Sequence, residues 1–182
     1  ALREFELMRA DDAVRHARVS AARDRLEQGR PRPVSSTVLV PTENLRVEGF
    51  PVISAAASRD SRRREALLVR AFKGWIASGA ISSALIRVGG TRLRVDLYHQ
   101  PSNVLIEAKA DVTRDSVRLA LGQLYDYRRF FDPPPALAVL VPAPLSVDLA
   151  DLLDGLGVGA IWPVGADFVD SESGNLIARL RA

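Results

Sequence analysis

The sequence predicts an α/β protein in which helices flank a central mixed sheet. The first observation is the order of patterns beyond residue 58, which runs helix, three strands, helix, strand, helix and strand. The second is the continuous apolar run from Ala136 to Val141, which is typical of a strand buried on both faces. Because such strands usually run parallel to a neighbour, a meander followed by this run predicts a mixed sheet.

The first part of the chain is predicted to be an appendage to this sheet. Residues 2–28 are rich in Ala, Arg, Glu and Leu and precede a Pro-Arg-Pro sequence, so they predict one helix. Short strands are predicted at 37–40 and 45–47. We therefore assign residues 1–57 to an N-terminal helical extension with a connector, and residues 58–182 to the main domain.

Each later element has its own boundary signal. Ser61 is expected to cap the first helix of the main domain, which Gly79 ends, and Gly89-Gly90 predicts a hairpin turn. Either Asp111 or Thr113 is expected to open the next helix. The remaining predictions are strands at 83–88, 91–98, 103–109, 136–141 and 158–162, a helix at 146–153, and a terminal hairpin within 168–177.

Three charged side chains fall in the second and third of these strands. Alternation of side chains predicts that Asp96 points away from the face shared by Val95 and Leu97. In the next strand Glu107 and Lys109 are two residues apart and therefore share a face. An antiparallel pairing would bring the two carboxylates together with the ammonium beside them, and such a pair can bind one hard divalent cation.

Lysine usage supports a chemical role for one of these residues. The chain has 25 basic residues, and only Lys73 and Lys109 among them are lysines. A compact ammonium suits a position beside a single water or a phosphate oxygen, where the planar guanidinium of arginine has the wrong shape. The arginine bias therefore draws attention to Lys109.

Asp96, Glu107 and Lys109 resemble the motif of the PD-(D/E)XK nuclease superfamily, with Val95 where that family usually has proline and Ala108 as the variable residue. The resemblance implies that Asp96, Glu107 and the carbonyl of Ala108 bind Mg²⁺, for which Mn²⁺ substitutes. It also implies that Lys109 orients the attacking water or neutralises charge that develops on the phosphate.

Further residues extend the resemblance over residues 58–163. Gln123 and Tyr127 lie four apart on one face of a predicted helix and resemble the Gln-x-x-x-Tyr motif of the RecB-like branch, in which such residues position the substrate strand or the lysine. Glu65 lies in the preceding helix, where many members carry an additional acidic residue. The resemblance therefore implies a restriction-endonuclease-like core.

The charged strand residues also have an ordinary structural alternative. Asp96 could pair with Arg92 or Arg94, and Glu107 with Lys109, as ion pairs between or along strands. We place the metal-binding hypothesis first because all three motif charges lie in predominantly apolar strands, where charge is otherwise disfavoured.

The residues of the helices have alternatives of the same kind. Tyr127 could be a core aromatic, Gln123 an exposed helix former, and Glu65 a partner of the adjacent arginines. Arg63, with Arg92 and Arg94 near the proposed site, is a candidate contact to nucleic acid, although a solvated arginine face explains any single arginine better.

Composition narrows the classes of function. The 182 residues are 47% hydrophobic and 26% charged, which is ordinary for one globular domain. Without cysteine the chain has no disulfides and no thiolate chemistry, which indicates a cytoplasmic protein. No apolar run of membrane-spanning length and no signal peptide are present in the sequence, so a membrane is not an expected partner. The net charge of +3 is compatible with a polyanionic partner but does not establish one.

We therefore expect a metal-dependent DNA endonuclease, the cleavage domain of a bacterial restriction or defence protein, with modification-dependent restriction as one option. The alternatives are a catalytically inactive nucleic-acid-binding or assembly module of the same fold, a DNA repair nuclease, and an interaction domain in which the motif is coincidence. Since the sequence begins at Ala1 rather than methionine, an upstream recognition domain is expected. A homodimer is a further open arrangement.

Overall fold

The computed structural model describes residues 35–40, 55–76 and 79–182, so the predicted helix at 2–28 and strand at 45–47 lie outside the described residues. The side chains of residues 35–40 and 55–58 are likewise not described. The elements are β1 (Ser35–Val40), α1 (Ala55–Ile76), β2 (Ile81–Val88), β3 (Thr91–His99), β4 (Val104–Ala108), α2 (Arg114–Arg128), β5 (Ala136–Leu140), α3 (Val147–Gly155), β6 (Val158–Val164), β7 (Asp167–Asp170) and α4 (Asn175–Arg181).

The strands form one seven-stranded sheet in which the spatial order follows the chain from β1 to β7. β4, β5 and β6 are parallel, and the other neighbouring strands pair antiparallel, so the predicted mixed sheet is confirmed. Two parallel pairings require crossover connections, which α2 and α3 supply. The compact unit begins at Ser35, and β1, which lies within the predicted connector, pairs with β2.

Helices cover both faces of the sheet. α2 and α3 pack on one face, where Leu124 joins Leu105 and Val139 in a buried cluster. α1 and α4 pack on the opposite face, where Phe72 lies among Ile106 and other buried residues. Burying each such side chain stabilises the folded state by about 1.5–3 kcal/mol. The apolar residues that β4 presents on its two faces therefore determine which helices cover each face. No helix in the described part of the chain is long and apolar enough to cross a bilayer.

Local signals predicted most boundaries of the elements between residues 79 and 164. The backbone φ angles of Gly89 and Gly90 are 52° and 91°, and these positive values confirm the predicted hairpin turn. Thr113 is the N-cap of α2, and its hydroxyl accepts a hydrogen bond from the amide of Ser116 at 3.3 Å. The prediction that Ser61 caps α1 is wrong, because the helix begins at Ala55 and Ser61 lies inside it.

The predicted terminal hairpin within 168–177 is also wrong. β7 pairs with β6, and the chain then turns into α4 instead of a further strand. The buried carboxylate of Asp170 accepts hydrogen bonds from the amides of Glu172, Gly174 and Ile177, each at 2.8 Å. These bonds satisfy amides at the start of α4 that would otherwise lack partners, and so they favour a helix over a hairpin.

A bulge in β3 changes the predicted alternation. Ser82 pairs with Tyr98 and Ala84 pairs with Val95, so two β3 residues, Asp96 and Leu97, lie opposite Ser83 alone. As a result Val95 packs in the cluster under α2, whereas Leu97 packs in the cluster under α1. The prediction that these two residues share a face is therefore wrong.

Candidate active site

The candidate site lies where β3 and β4 separate. Their pairing runs from His99 opposite Val104 to Leu97 opposite Ile106 and stops there. Beyond that point the Asp96 side chain occupies the space between the strands, and the amide of Ala108 donates to Asp96 Oδ2 at 3.0 Å. We call this space the strand gap.

A chain of polar contacts links β4 to α2. Lys109 Nζ donates to Glu107 Oε1 at 2.9 Å and to Gln123 Oε1 at 2.6 Å. Gln123 Nε2 donates to the hydroxyl of Tyr127 at 3.2 Å. Lys109 directly follows β4 and lies on the same side as Glu107, two residues before it, while Gln123 and Tyr127 share a face of α2 because they are four apart. The spacing predicted from the sequence therefore corresponds to direct contacts.

Glu107 is buried with only part of its hydrogen-bonding capacity used. Its Oε1 accepts from Lys109, whereas its Oε2 has no hydrogen-bond partner among the described residues. Burial raises the pKa of Glu107 from 4.5 to about 8, and the nearby charge of Asp96 adds to this rise although Lys109 opposes it. A buried acceptor without a partner costs about 1–3 kcal/mol, which is a reason to look for a ligand there.

Two further carboxylates lie near enough to influence the same charges. Burial raises the pKa of Asp96, against the lowering effects of the Ala108 amide and of Lys109. Burial also raises the pKa of Glu65, which Lys109 lowers and Asp96 raises. Glu65 of α1 therefore lies close enough to the charges of β3 and β4 to interact with them.

The oxygen atoms around the strand gap include candidate ligands for a divalent cation. Among the described residues, no three His, Cys, Asp or Glu side chains lie close enough to hold a metal by themselves, so Glu65 does not complete a three-carboxylate site. The remaining set is the carboxylates of Asp96 and Glu107 with the carbonyl of Ala108. The amide of Ala108 points into the strand gap, and the carbonyl of the same strand residue points to the same side. With the unpartnered Glu107 Oε2, these oxygen atoms suit a hard cation such as Mg²⁺.

The three candidate arginines differ in their relation to this site. Arg94 is exposed on β3, and its charge lowers the pKa of Asp96, so it lies close to the strand gap. Arg92 on β3 and Arg63 on α1 are exposed. The predicted alternative for Asp96 was an ion pair with Arg92 or Arg94, whereas its carboxylate accepts from the backbone of Ala108.

Tyr127 combines two predicted roles that the sequence treated as exclusive. Its side chain is buried in the cluster under α2, as the alternative of a core aromatic predicted. Its hydroxyl nevertheless contacts Gln123, and burial and the charge of Glu107 raise its pKa to about 12. The aromatic ring therefore packs in the core while the hydroxyl group reaches the polar contacts of Lys109.

Sequence reasoning missed Ser83. This residue is fully buried in β2, and its hydroxyl donates to the backbone carbonyl of Asp96 at 2.8 Å. The one local signal was a serine pair, Ser82-Ser83, within an otherwise apolar strand. A side-chain bond to the backbone of another strand cannot be read from such a signal.

The chain matches no protein-family model, no curated protein and no solved structure.

Proposed function

We propose that this protein is a metal-dependent nuclease of the PD-(D/E)XK type that hydrolyses phosphodiester bonds in DNA. In this proposal the sheet is a restriction-endonuclease-like core, and the chain is the cleavage domain of a bacterial restriction or defence protein. The observation that carries it is the position of Asp96, Glu107 and Lys109 at the strand gap, where the pairing of β3 with β4 stops and Glu107 Oε2 is buried without a partner among the described residues.

Energetics favour a ligand-binding carboxylate over a purely structural ion pair. A structural ion pair between Glu107 and Lys109 would gain nothing from leaving Glu107 Oε2 without a hydrogen bond. Such a buried acceptor without a partner costs about 1–3 kcal/mol of stability. Buried ion pairs also contribute little net stability, because desolvation of both charges offsets their attraction. A buried and a half-buried carboxylate near one another are hard to explain by stability alone, and both have raised pKa values.

Each residue of the proposed site has its own role in metal binding or in charge stabilisation. Asp96, Glu107 and the carbonyl of Ala108 would hold a Mg²⁺ ion, which lowers the pKa of an attacking water and polarises the phosphate. Lys109 supplies a positive charge beside that position. Gln123 orients the ammonium, because its Oε1 accepts a hydrogen bond from Lys109 Nζ at 2.6 Å. Arg94, which lies exposed near Asp96, supplies a second positive charge for the phosphodiester backbone.

One observation favours a catalytically inactive module of the same fold as the second candidate. Lys109 donates to both Glu107 and Gln123, so the polar groups of β4 and α2 already satisfy much of one another. In such a module the strand charges would hold α2 on the sheet, and the exposed arginines would bind nucleic acid without cutting it. Divalent metal binding separates the two candidates, because the inactive module does not require it.

The test is cleavage of supercoiled plasmid DNA with Mg²⁺ by the parent and by Asp96→Asn, with Asp151→Asn as the matched control. Asp151 is an exposed carboxylate on α3, so its substitution removes the same charge away from the strand gap. The parent and the Asp151→Asn variant should cut, and Asp96→Asn should lose activity while keeping its circular dichroism spectrum. Equal cutting by all three proteins, or no Mg²⁺-dependent cutting by the parent, would contradict the proposed function.

A further inference from the structure

The bulge in β3 lies at the residue that supplies a candidate metal ligand. Regular pairing of β2 with β3 shifts by one residue between Ser82 and Ala84, and Asp96 is the first of the two bulged residues. Bulges re-aim side chains and end strand pairing, and they recur next to functional sites. Here the pairing of β3 with β4 ends at Leu97, next to Asp96.

Ser83 is the β2 residue that faces this bulge. It is fully buried, and its hydroxyl donates to the carbonyl oxygen of Asp96 at 2.8 Å. The carboxylate of the same Asp96 accepts the amide of Ala108 across the strand gap at 3.0 Å. One hydrogen bond therefore holds the backbone of Asp96 from β2, and another holds its side chain from β4.

We propose that Ser83 is a positioning residue that locks the β3 bulge and thereby fixes the Asp96 carboxylate in the strand gap. The consequence for metal binding and cleavage rests on the proposed function. The geometric claim does not, because it concerns only the bond between Asp96 and Ala108.

Burial makes the hydroxyl of Ser83 difficult to replace by solvent. Removing it withdraws a donor from a carbonyl in the sheet interior, where an unsatisfied acceptor is costly. The strand can recover by slipping toward regular pairing, which would move Leu97 toward the face of Val95 and redirect Asp96. Small shifts of a ligand's supporting group typically lower metal affinity or activity by about 10- to 100-fold.

The experiment compares Ser83→Ala with Ser83→Thr, which keeps the hydroxyl, and with Ser82→Ala as the matched control on the same strand. Hydrogen exchange of the Ala108 amide, measured by NMR, reports the bond to Asp96 directly. Amides of β5 and β6 serve as an internal reference for global stability. Titration with Mn²⁺ on the same samples gives metal affinity, and cleavage at low and saturating Mn²⁺ separates affinity from turnover.

In Ser83→Ala the Ala108 amide should exchange about two- to tenfold faster relative to the β5 reference, and Mn²⁺ affinity should fall by about 10- to 100-fold. Saturating Mn²⁺ should restore much of the turnover. Ser83→Thr and Ser82→Ala should keep Ala108 protected. Unchanged relative protection of Ala108 in Ser83→Ala, or equal loss in Ser83→Thr, would overturn the role of Ser83. A parent that protects Ala108 but binds no Mn²⁺ would instead contradict the proposed function alone.

Discussion

Glu107 should make the protein less stable as the pH rises toward 8. Its pKa is raised from 4.5 to about 8 in the folded state, mainly by burial, so folding strengthens proton binding. Between these values the folded state holds more protons than the unfolded state, and the free energy of unfolding falls with increasing pH. The contribution is complete below 4.5 and lost above 8. At about 1.4 kcal/mol for each unit of pKa shift, the loss approaches about 5 kcal/mol as an upper limit.

Glu107→Gln is the perturbation that isolates this effect. The raised pKa values of Asp96 and Glu65 act in the same direction, and the lowered pKa of His99 acts in the opposite one. Subtracting the variant's unfolding free energy from that of the parent removes these shared contributions.

The assay is urea unfolding at a series of pH values from 5 to 9 in the presence of EDTA, followed by tryptophan fluorescence. The parent should lose roughly 3–4 kcal/mol more than Glu107→Gln between pH 5 and pH 8. Added Mg²⁺ should recover part of that loss in the parent only, since the cation binds the deprotonated carboxylate. A difference between the two proteins that stays constant with pH would refute the reasoning.

Three further predictions concern cleavage. Lys109→Ala should lower the rate by about 100-fold or more, because it removes the charge beside the metal position, whereas Lys73→Ala, the other lysine substitution, should cut like the parent. Tyr127→Phe should slow cleavage several-fold and lower the unfolding free energy by roughly 0.5–1.5 kcal/mol, because it removes the acceptor of Gln123; a lowered melting temperature with an unchanged rate would place Tyr127 outside the site. Chelation of divalent cations should abolish cleavage by the parent, and added Mn²⁺ should restore cleavage. Ca²⁺ should support DNA binding with little cleavage, as measured by gel shift and plasmid nicking.

Sequence patterns that involve only residues close together in the chain predicted much of the sheet. The apolar run beginning at Ala136 became a buried parallel strand, and Gly89-Gly90 became a turn with positive φ. Spacing also predicted the contacts of the site. Glu107 and Lys109 meet because strand side chains alternate, and Gln123 meets Tyr127 because a helix brings residues four apart together.

The errors share a physical cause, which is dependence on partners distant in the sequence. The bulge at Asp96 requires the register of β2, and its bond to Ser83 joins residues thirteen positions apart. The turn into α4 depends on the buried carboxylate of Asp170, which is not distinguishable by pattern from an exposed acidic residue. Local signals therefore predicted which residues lie near one another at the site. They did not predict the bulge in β3 that positions the Asp96 carboxylate.

The strand order also bears on how the protein folds. Each strand of the sheet lies beside the strand that precedes it in the chain, so every pairing closes a connection to an immediate predecessor. Asp96, Glu107 and Tyr127 lie in the consecutive elements β3, β4 and α2, Lys109 directly follows β4, and Glu65 comes from α1. Short closures cost little chain entropy and favour fast folding. The site should therefore form with the central meander, and a destabilised β6 or β7 should slow completion of the sheet more than assembly of the strand gap.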